Sequence, residues 1–296
     1  MPRSSAKQQI PVRRLKPVAS ESLAVPSFKI RRLEDIAGEE GLVQDIHRHD
    51  FYFILFVREG HGDHAIDFIL HEVRDRTVFL LRPGQVHQLS LLPGCFGYLL
   101  EFHPEFCQRQ PAVERLRKAG KTGYCEPEEA GFLKMQFALD AVFAEAAAKE
   151  EGYIDAIRAF LDIFFIAYIR QIPGPSKEAN PPTAYSQERF EEFISLLDLY
   201  ITTQKQVASY ARLMSLSAYQ LNGMTRSAIG KTASEMINER IVLEAKRYLL
   251  ATSSQVKEIA DLLGYEDASY FVRFFRKHTG HSPEIFRQRF KGVLHN

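Results

Sequence analysis

The sequence predicts a multi-domain α+β protein: an antiparallel β-barrel or sandwich, a helical pair, then an all-α domain built from a repeated helix-turn-helix unit. Three observations carry this. Short apolar runs divided by glycines occupy residues 28–106, the hydrophobic period turns helical near residue 126, and the C-terminal part repeats itself at an offset of 50 residues.

The chain of 296 residues is longer than a common single domain, and a 45% hydrophobic content with 22 Phe supplies core material for two. Its start, "MPRSSAKQQIPVRRLKP", is basic with no apolar stretch behind it, so it does not read as a signal peptide. Residues 1–27 are expected to be a flexible tail. No apolar run approaches the roughly 20 residues of a membrane span, so no membrane partner is expected. Cys95, Cys107 and Cys125 form no CxxC pair and fit a reducing cytoplasm.

Residues 28–120 are expected to form the barrel, from runs such as "DFYFILFVREG", "HAIDFILHEV", "RTVFLLRPG" and "GYLLEF" with turn residues between them. A helical segment follows over 121–172. In its first half Phe132, Met135, Leu139 and Phe143 keep helical step, and Glu126 to Glu129 load the N-terminal turn, where the helix dipole favours them. Its second half, "YIDAIRAFLDIFFIAYIR", carries an apolar stripe that includes the adjacent Phe164 and Phe165 and is broader than one neighbour covers. A homodimer through the N-terminal half is the expected use of that stripe. The Pro/Gly/Ser-rich stretch 173–185 reads as a semi-rigid linker.

Residues 186–291 are expected to be all-α. "AYQLNGMTRSAIGKTASEM" (218–236) lies over "ASYFVRFFRKHTGHSPEIF" (268–286), with Leu221 on Phe271, Met224 on Phe274, Arg226 on Arg276 and Gly230 on Gly280. Upstream of each copy, Ala211 and Ala260 stand at matching points, where a small residue lets two helices cross closely. One long helix, 233–252, joins the two units. Charge divides the same way: residues 1–204 carry a net −5 and residues 205–296 a net +6, the balance of a polyanion-binding module after an acidic one.

The stretches "EAKRYLL" (244–250), "VKEIADLLGYEDASYFVRFFRKHTGHSPEIFRQ" (256–288) and the first unit at 207–236 resemble the AraC/XylS family of transcriptional regulators. The N-terminal "HRHDFYFILFVREGHGDHAID" (47–67) and "LRPGQVH" (81–87) resemble the cupin-like sensor barrel that many members carry. The resemblance implies a bacterial, cytoplasmic one-chain regulator that binds double-stranded promoter DNA, engages RNA polymerase as an activator and answers to a small organic effector in the barrel. It also implies a homodimer.

The residues themselves point to the DNA-reading faces. In a helix starting near Asp267, Phe271, Phe274 and Phe275 share one face, leaving Ser269, Tyr270, Arg273, Arg276 and Lys277 outward. Arg suits the bidentate edge of guanine; Arg273 lies midway along the helix, towards base edges, and Arg276 and Lys277 lie towards the phosphate backbone. In the first unit, with Ser217 as N-cap, the outward set is Tyr219, Gln220, Asn222, Thr225 and Arg226. Gly223 stands where the family often has a long polar side chain, which weakens readout there.

In the barrel, His47, His49 and His87 have the HxH and PGxxH spacing at which metal-binding cupins place ligands. That pattern normally supplies a Glu shortly after HxH, and here Phe53, Ile54 and Leu55 follow. No metal and no cofactor is therefore expected. The histidines are either structural or, with Tyr52 and Arg82, part of an effector pocket. No GxSxG, P-loop or GxGxxG occurs, so catalysis is not expected; a cupin-type metalloenzyme fused to a DNA-binding module is the alternative.

Overall fold

Strand β4 (Tyr52–Glu59) is buried on both faces along Tyr52–Val57, and its alternation sorts the N-terminal core into two. Tyr52, Ile54 and Phe56 point to one core; Phe53, Leu55 and Val57 point to the other. This computed structural model describes residues 10–15, 28–106, 123–172 and 184–290. Chain contacts divide it into two compact units, 11–174 and 175–296, the latter taking in residues 1–10.

Unit 11–174 contains two five-stranded sheets. One has the order β1 (Val12–Arg13), β3 (Leu42–His49), β8 (Val86–Leu91), β5 (Gly62–Ile66), β6 (Ile69–Val73). The other has the order β10 (Tyr124–Cys125), β7 (Thr77–Leu81), β4, β9 (Phe96–Phe102), β2 (Phe28–Arg32). Apart from the parallel pair β1–β3, the ladders are antiparallel. Leu55, Val57, Ile66, Phe79, Leu89, Leu91 and Leu99 form the core that draws on both sheets. Helix α1 (Leu33–Ala37) contributes Leu33 to it.

The outer face of the β4 sheet is covered by α2 (Glu129–Ala148) and α3 (Tyr153–Ile169), which supply Phe132, Met135, Leu139, Val142, Ile157, Leu161, Phe164, Phe165 and Tyr168. Phe132 stacks on Phe56 with ring centroids 4.5 Å apart. Between the helices, Lys149 and Gly152 adopt left-handed backbone and turn the chain. Phe164 and Phe165 are fully buried here, so the adjacent pair read from sequence as an assembly stripe belongs to the chain's own core. The apolar residues this pair leaves exposed are Leu133, Phe137, Ile163 and Ile166.

Two sequence expectations change at their edges. Within the expected flexible tail, Val12 and Arg13 pair in parallel with Arg48 and His49; residues 1–9 and 16–27 lie outside the described residues. Of the expected linker, 173–183 lies outside them, and helix α4 (Ala184–Tyr200) already includes 184 and 185. Cys107 lies outside them too, while Cys95 and Cys125 are buried free thiols.

Unit 175–296 is all-helical after α4: α5 (Val207–Leu213), α6 (Ala218–Ile229), α7 (Ala233–Ala251), α8 (Val256–Leu262), α9 (Ala268–Thr279) and α10 (Pro283–Phe290). Ala211 and Ala260 are buried at the two tight helix approaches, at 3% and 0% exposure. Ser217 and Thr232 start α6 and α7 with capping boxes completed by Gln220 and Glu235. Helices α6 and α9 both end on a left-handed glycine, Gly230 (φ +75°) and Gly280 (φ +79°). Arg287 of α10 ties the bundle together by donating to the carbonyls of Leu249 at 2.9 Å and Ser254 at 2.5 Å.

Candidate nucleic-acid interface and histidine centre

The outward face of α9 follows from what its other face buries. Phe271 and Phe275 are fully buried, and Phe274 packs half-exposed against Tyr265 and His278. Ser269, Tyr270, Arg273, Arg276 and Lys277 are thereby exposed. Asp267 caps the helix by accepting from Ser269 N at 2.7 Å, and its other oxygen stands 3.7 Å from the Arg273 guanidinium. Both partners of that ion pair are exposed, so it restrains Arg273 little. Arg276, Lys277 and His278 crowd the last turn, where positive charge complements the helix dipole.

Helix α6 repeats the frame. Leu221 and Thr225 are fully buried; Tyr219, Gln220 and Arg226 are exposed, Tyr219 by 87%. Two residues expected on the outward face behave otherwise. Thr225 is withdrawn from it: its side chain is buried and its hydroxyl donates to the Asn222 carbonyl at 3.1 Å. Asn222 is half-buried, and its Oδ1 accepts from Ala233 N at 3.0 Å, at the start of α7. Bidentate recognition of adenine uses both Oδ1 and Nδ2 of an amide, and here Oδ1 is held by the chain's own backbone.

In the barrel, the inner face of the β3 sheet gathers four histidines. Period-2 alternation directs Leu42 and Gln44 of β3 inward, and a register shift between Gln44 and His47 then makes His47 and His49 the inward pair. His87 lies across from His47 on β8, and His64 comes from the next strand, β5. All four are buried.

The three Nε2 atoms of His47, His49 and His87 form a triangle with edges of 3.1 Å (His47–His49), 2.7 Å (His49–His87) and 3.1 Å (His47–His87). His47 Nδ1 lies 2.5 Å from the Asp45 carbonyl, and His87 Nδ1 lies 2.9 Å from His64 Nε2. Phe51 and Phe53 pack on His49, and Phe79 packs on His64. Burial lowers His47 to about 4 despite its bond to Asp45, and lowers His49 and His64 to about 3. His87 is driven well below the usual imidazole value by the same cause. All four are neutral near pH 7, so each ring carries one N–H and one lone pair.

A family described as an AraC-like ligand binding domain matches residues 37–129, and one described as a helix-turn-helix domain matches residues 210–289. The chain belongs to the AraC/XylS family of transcriptional regulators. This AraC-type regulator is 24% identical to the HTH-type transcriptional regulator YfiF of Bacillus subtilis, over 83% of its own length and 79% of that protein. It is 23% identical to the arabinose operon regulatory protein of Escherichia coli over 72% of each chain. Among solved structures it is similar to ToxT from Vibrio cholerae, at 13% identity and a TM-score of 0.40, covering 90% of this chain and 99% of ToxT. No helix among the described residues is long and apolar enough to cross a membrane.

The regulator thus has a ligand-binding domain followed by a helix-turn-helix DNA-binding domain, but two residues expected in the effector pocket lie apart from the histidines. Tyr52 is 2% exposed and stacks on Phe102 beneath the helical pair, on the opposite face of β4 from the barrel interior. Arg82 follows β7, and its charge acts on Tyr168 of α3. Among the described residues, a separate cleft of about 250 Å³ opens on that helical side, where Tyr98 donates to Asp140 at 2.6 Å beside Arg32 and Arg58. His64 was missed in the sequence; the signal was its place two residues before Ile66 in a strand whose inward set is every second residue.

Proposed function

We propose that this regulator reads promoter DNA in the cytoplasm as a homodimer, with Ser269, Tyr270 and Arg273 of α9 as its main base-reading set. Arg276 and Lys277 grip phosphate, and Tyr219, Gln220 and Arg226 of α6 supply a weaker second contact. The observation behind this reading is the shared frame of α6 and α9, in which each residue of 219–227 has the same degree of burial as its match in 269–277. An organic effector in the barrel, at the end where His47, His49 and His87 converge, controls the output, and contact with RNA polymerase delivers it as activation. The chain is not an enzyme. The domain limits proposed for this division of labour are 28–120 for the barrel, to whose sheets β1 and β10 add strands from outside that range, 121–172 for the helical pair and 186–291 for the DNA-binding part.

Genome-wide occupancy of the tagged chain tests the reading. Discrete peaks at promoters are expected, and duplexes from those peaks should be bound in preference to scrambled ones at moderate salt. Equal binding to both would leave a non-specific DNA coat and overturn it. Leu133 and Phe137, one turn apart on α2, and Ile163 and Ile166 on α3 are the exposed apolar residues that favour self-association through the helical pair. Light scattering should give a dimer that Phe137→Glu splits. A wild-type monomer would remove the dimer.

A further inference from the structure

We propose that His47, His49 and His87 hold a divalent first-row transition-metal ion through their three Nε2 atoms, with His64 setting the tautomer of His87. The proposal goes beyond the DNA-binding reading and does not depend on it.

The first argument is one of parity. A hydrogen bond between two imidazole nitrogens needs one protonated and one bare nitrogen. Three nitrogens in mutual contact cannot all be paired so, because at least two of the three must be alike. One edge of the triangle of 2.7, 3.1 and 3.1 Å therefore sets lone pair against lone pair, or proton against proton. That opposition sits in a buried pocket, where an unpaired polar group is costly. A single cation at the centre satisfies all three lone pairs together.

The second argument is geometric. With metal–nitrogen bonds of about 2.1 Å, neighbouring ligand nitrogens stand about 3.0 Å apart at right angles and about 3.4 Å apart in a tetrahedron. The observed edges lie on both sides of the right-angle value and below the tetrahedral one. Three nitrogens on one face of an octahedral ion leave its other positions open. Iron, cobalt or nickel in the divalent state suits this arrangement better than tetrahedral zinc, and hard magnesium or calcium does not suit imidazole at all.

The third argument concerns the far nitrogens. The Asp45 carbonyl, 2.5 Å away, accepts a hydrogen bond from His47 Nδ1–H, which leaves Nε2 bare. His64 Nε2, 2.9 Å from His87 Nδ1, can do the same for His87. Fixing the proton on the remote nitrogen is how surrounding groups orient a metal-binding imidazole. The same register shift that re-aims His47 also belongs to the segment that presents the Asp45 carbonyl. The sequence argued against a metal because no carboxylate follows the HxH; three neutral ligands still make a site, and they leave the ion's charge for an oxygen anion to offset.

The test uses the full chain without a histidine tag, stripped by a chelator and then offered cobalt, nickel or zinc separately. Bound metal is read by mass spectrometry after desalting, and the cobalt form by its visible spectrum. The expected result is one equivalent of cobalt or nickel per chain, a raised melting temperature and nitrogen-ligand bands. His49→Ala and His87→Ala should each abolish that equivalent, His64→Ala should weaken it roughly 10–100-fold, and His281→Ala, in the other unit, should leave it intact. Circular dichroism checks that the variants fold, and His49→Gln serves if the alanine variant does not. No retained equivalent and no thermal shift in the wild-type chain overturns the proposal by itself. Retention of the metal by both folded ligand variants overturns it too, by marking the binding as adventitious. DNA binding by the stripped and the metal-loaded chain is measured alongside, and its absence from both would count against the DNA reading, not against this site.

Discussion

Gly223 and Arg273 occupy equivalent positions of α6 and α9, fifty residues apart, and both face solvent. Around them Leu221 matches Phe271 and Thr225 matches Phe275, and all four are fully buried. The two helices are therefore the same device with different contents: α9 presents an arginine at the midpoint of its exposed face, and α6 presents bare backbone. The asymmetry supports the proposal that the second unit reads DNA more strongly than the first.

Replacing Arg273 with Ala should cost roughly 1–3 kcal/mol on a specific duplex and relax preference at one or two base pairs. Lys277→Ala, at the C-terminal end of α9, should weaken specific and scrambled duplexes alike and lower the salt slope by about one ion. Titrations of both variants on both duplexes across a salt series make the comparison. Equal weakening of both duplexes by Arg273→Ala would show that its side chain grips backbone instead.

At Gly223 an added Cβ meets nothing within 4 Å, so the glycine serves no packing need. Glycine inside a helix loses more freedom on folding than alanine does, and Gly223→Ala should stabilise the helical unit by roughly 0.5–1 kcal/mol. Gly223→Arg should also be tolerated and should raise affinity for DNA. Denaturant melts and duplex titrations check the two parts. A folded Gly223→Arg variant with unchanged DNA affinity would place α6 away from the duplex.

The turns of the two units offer a matched pair. Ser215 holds a left-handed backbone (φ +54°) in the first, and Gly264 holds one (φ +72°) in the second. Ser215→Gly should relieve about 1 kcal/mol of strain. Gly264→Ala should destabilise by more than about 1 kcal/mol, because its Cβ would lie 1.9 Å from the Thr202 carbonyl oxygen as well as requiring positive φ. Thermal melts of the two variants should shift in opposite directions.

Much of this architecture was legible in advance because it follows from periodicity. The alternation of β4, the helical step of α2 and α3 and the doubled motif are all one-dimensional patterns. The offset of 50 sets Thr225 on Phe275, and so on the buried face of its helix. What periodicity does not report is pairing between distant strands. Tyr52 adjoins the histidine motif in sequence, yet a strand sends neighbours to opposite faces, and Tyr52 lies on the face away from the barrel interior. The bulge that turns His47 and His49 inward, and the approach of His64 to His87, appear only once β3, β8 and β5 are in register.

The long helix α7 carries a buried charge pair whose removal should be felt by the whole helical unit. Arg247 is 1% exposed and Glu244 7%, and the Arg247 guanidinium donates to the Glu244 carboxylate one turn away. Arg240 stands 3.6 Å from the same carboxylate and 3.0 Å from Asp198, so the chain of charges runs from α7 to α4. Removing Arg247 takes the nearest cation from a buried carboxylate and leaves it to the more distant Arg240, so Arg247→Ala should cost roughly 3–5 kcal/mol. The exposed end should matter far less: Asp198→Ala should change stability by about 1 kcal/mol or less. Arg247→Met combined with Glu244→Leu, which removes both charges and keeps the volume, should recover most of the loss. Denaturant melts of the three variants decide between an electrostatic and a packing role. A double variant as unstable as Arg247→Ala would assign the loss to the shape of the arginine and its further contacts, not to the stranded carboxylate.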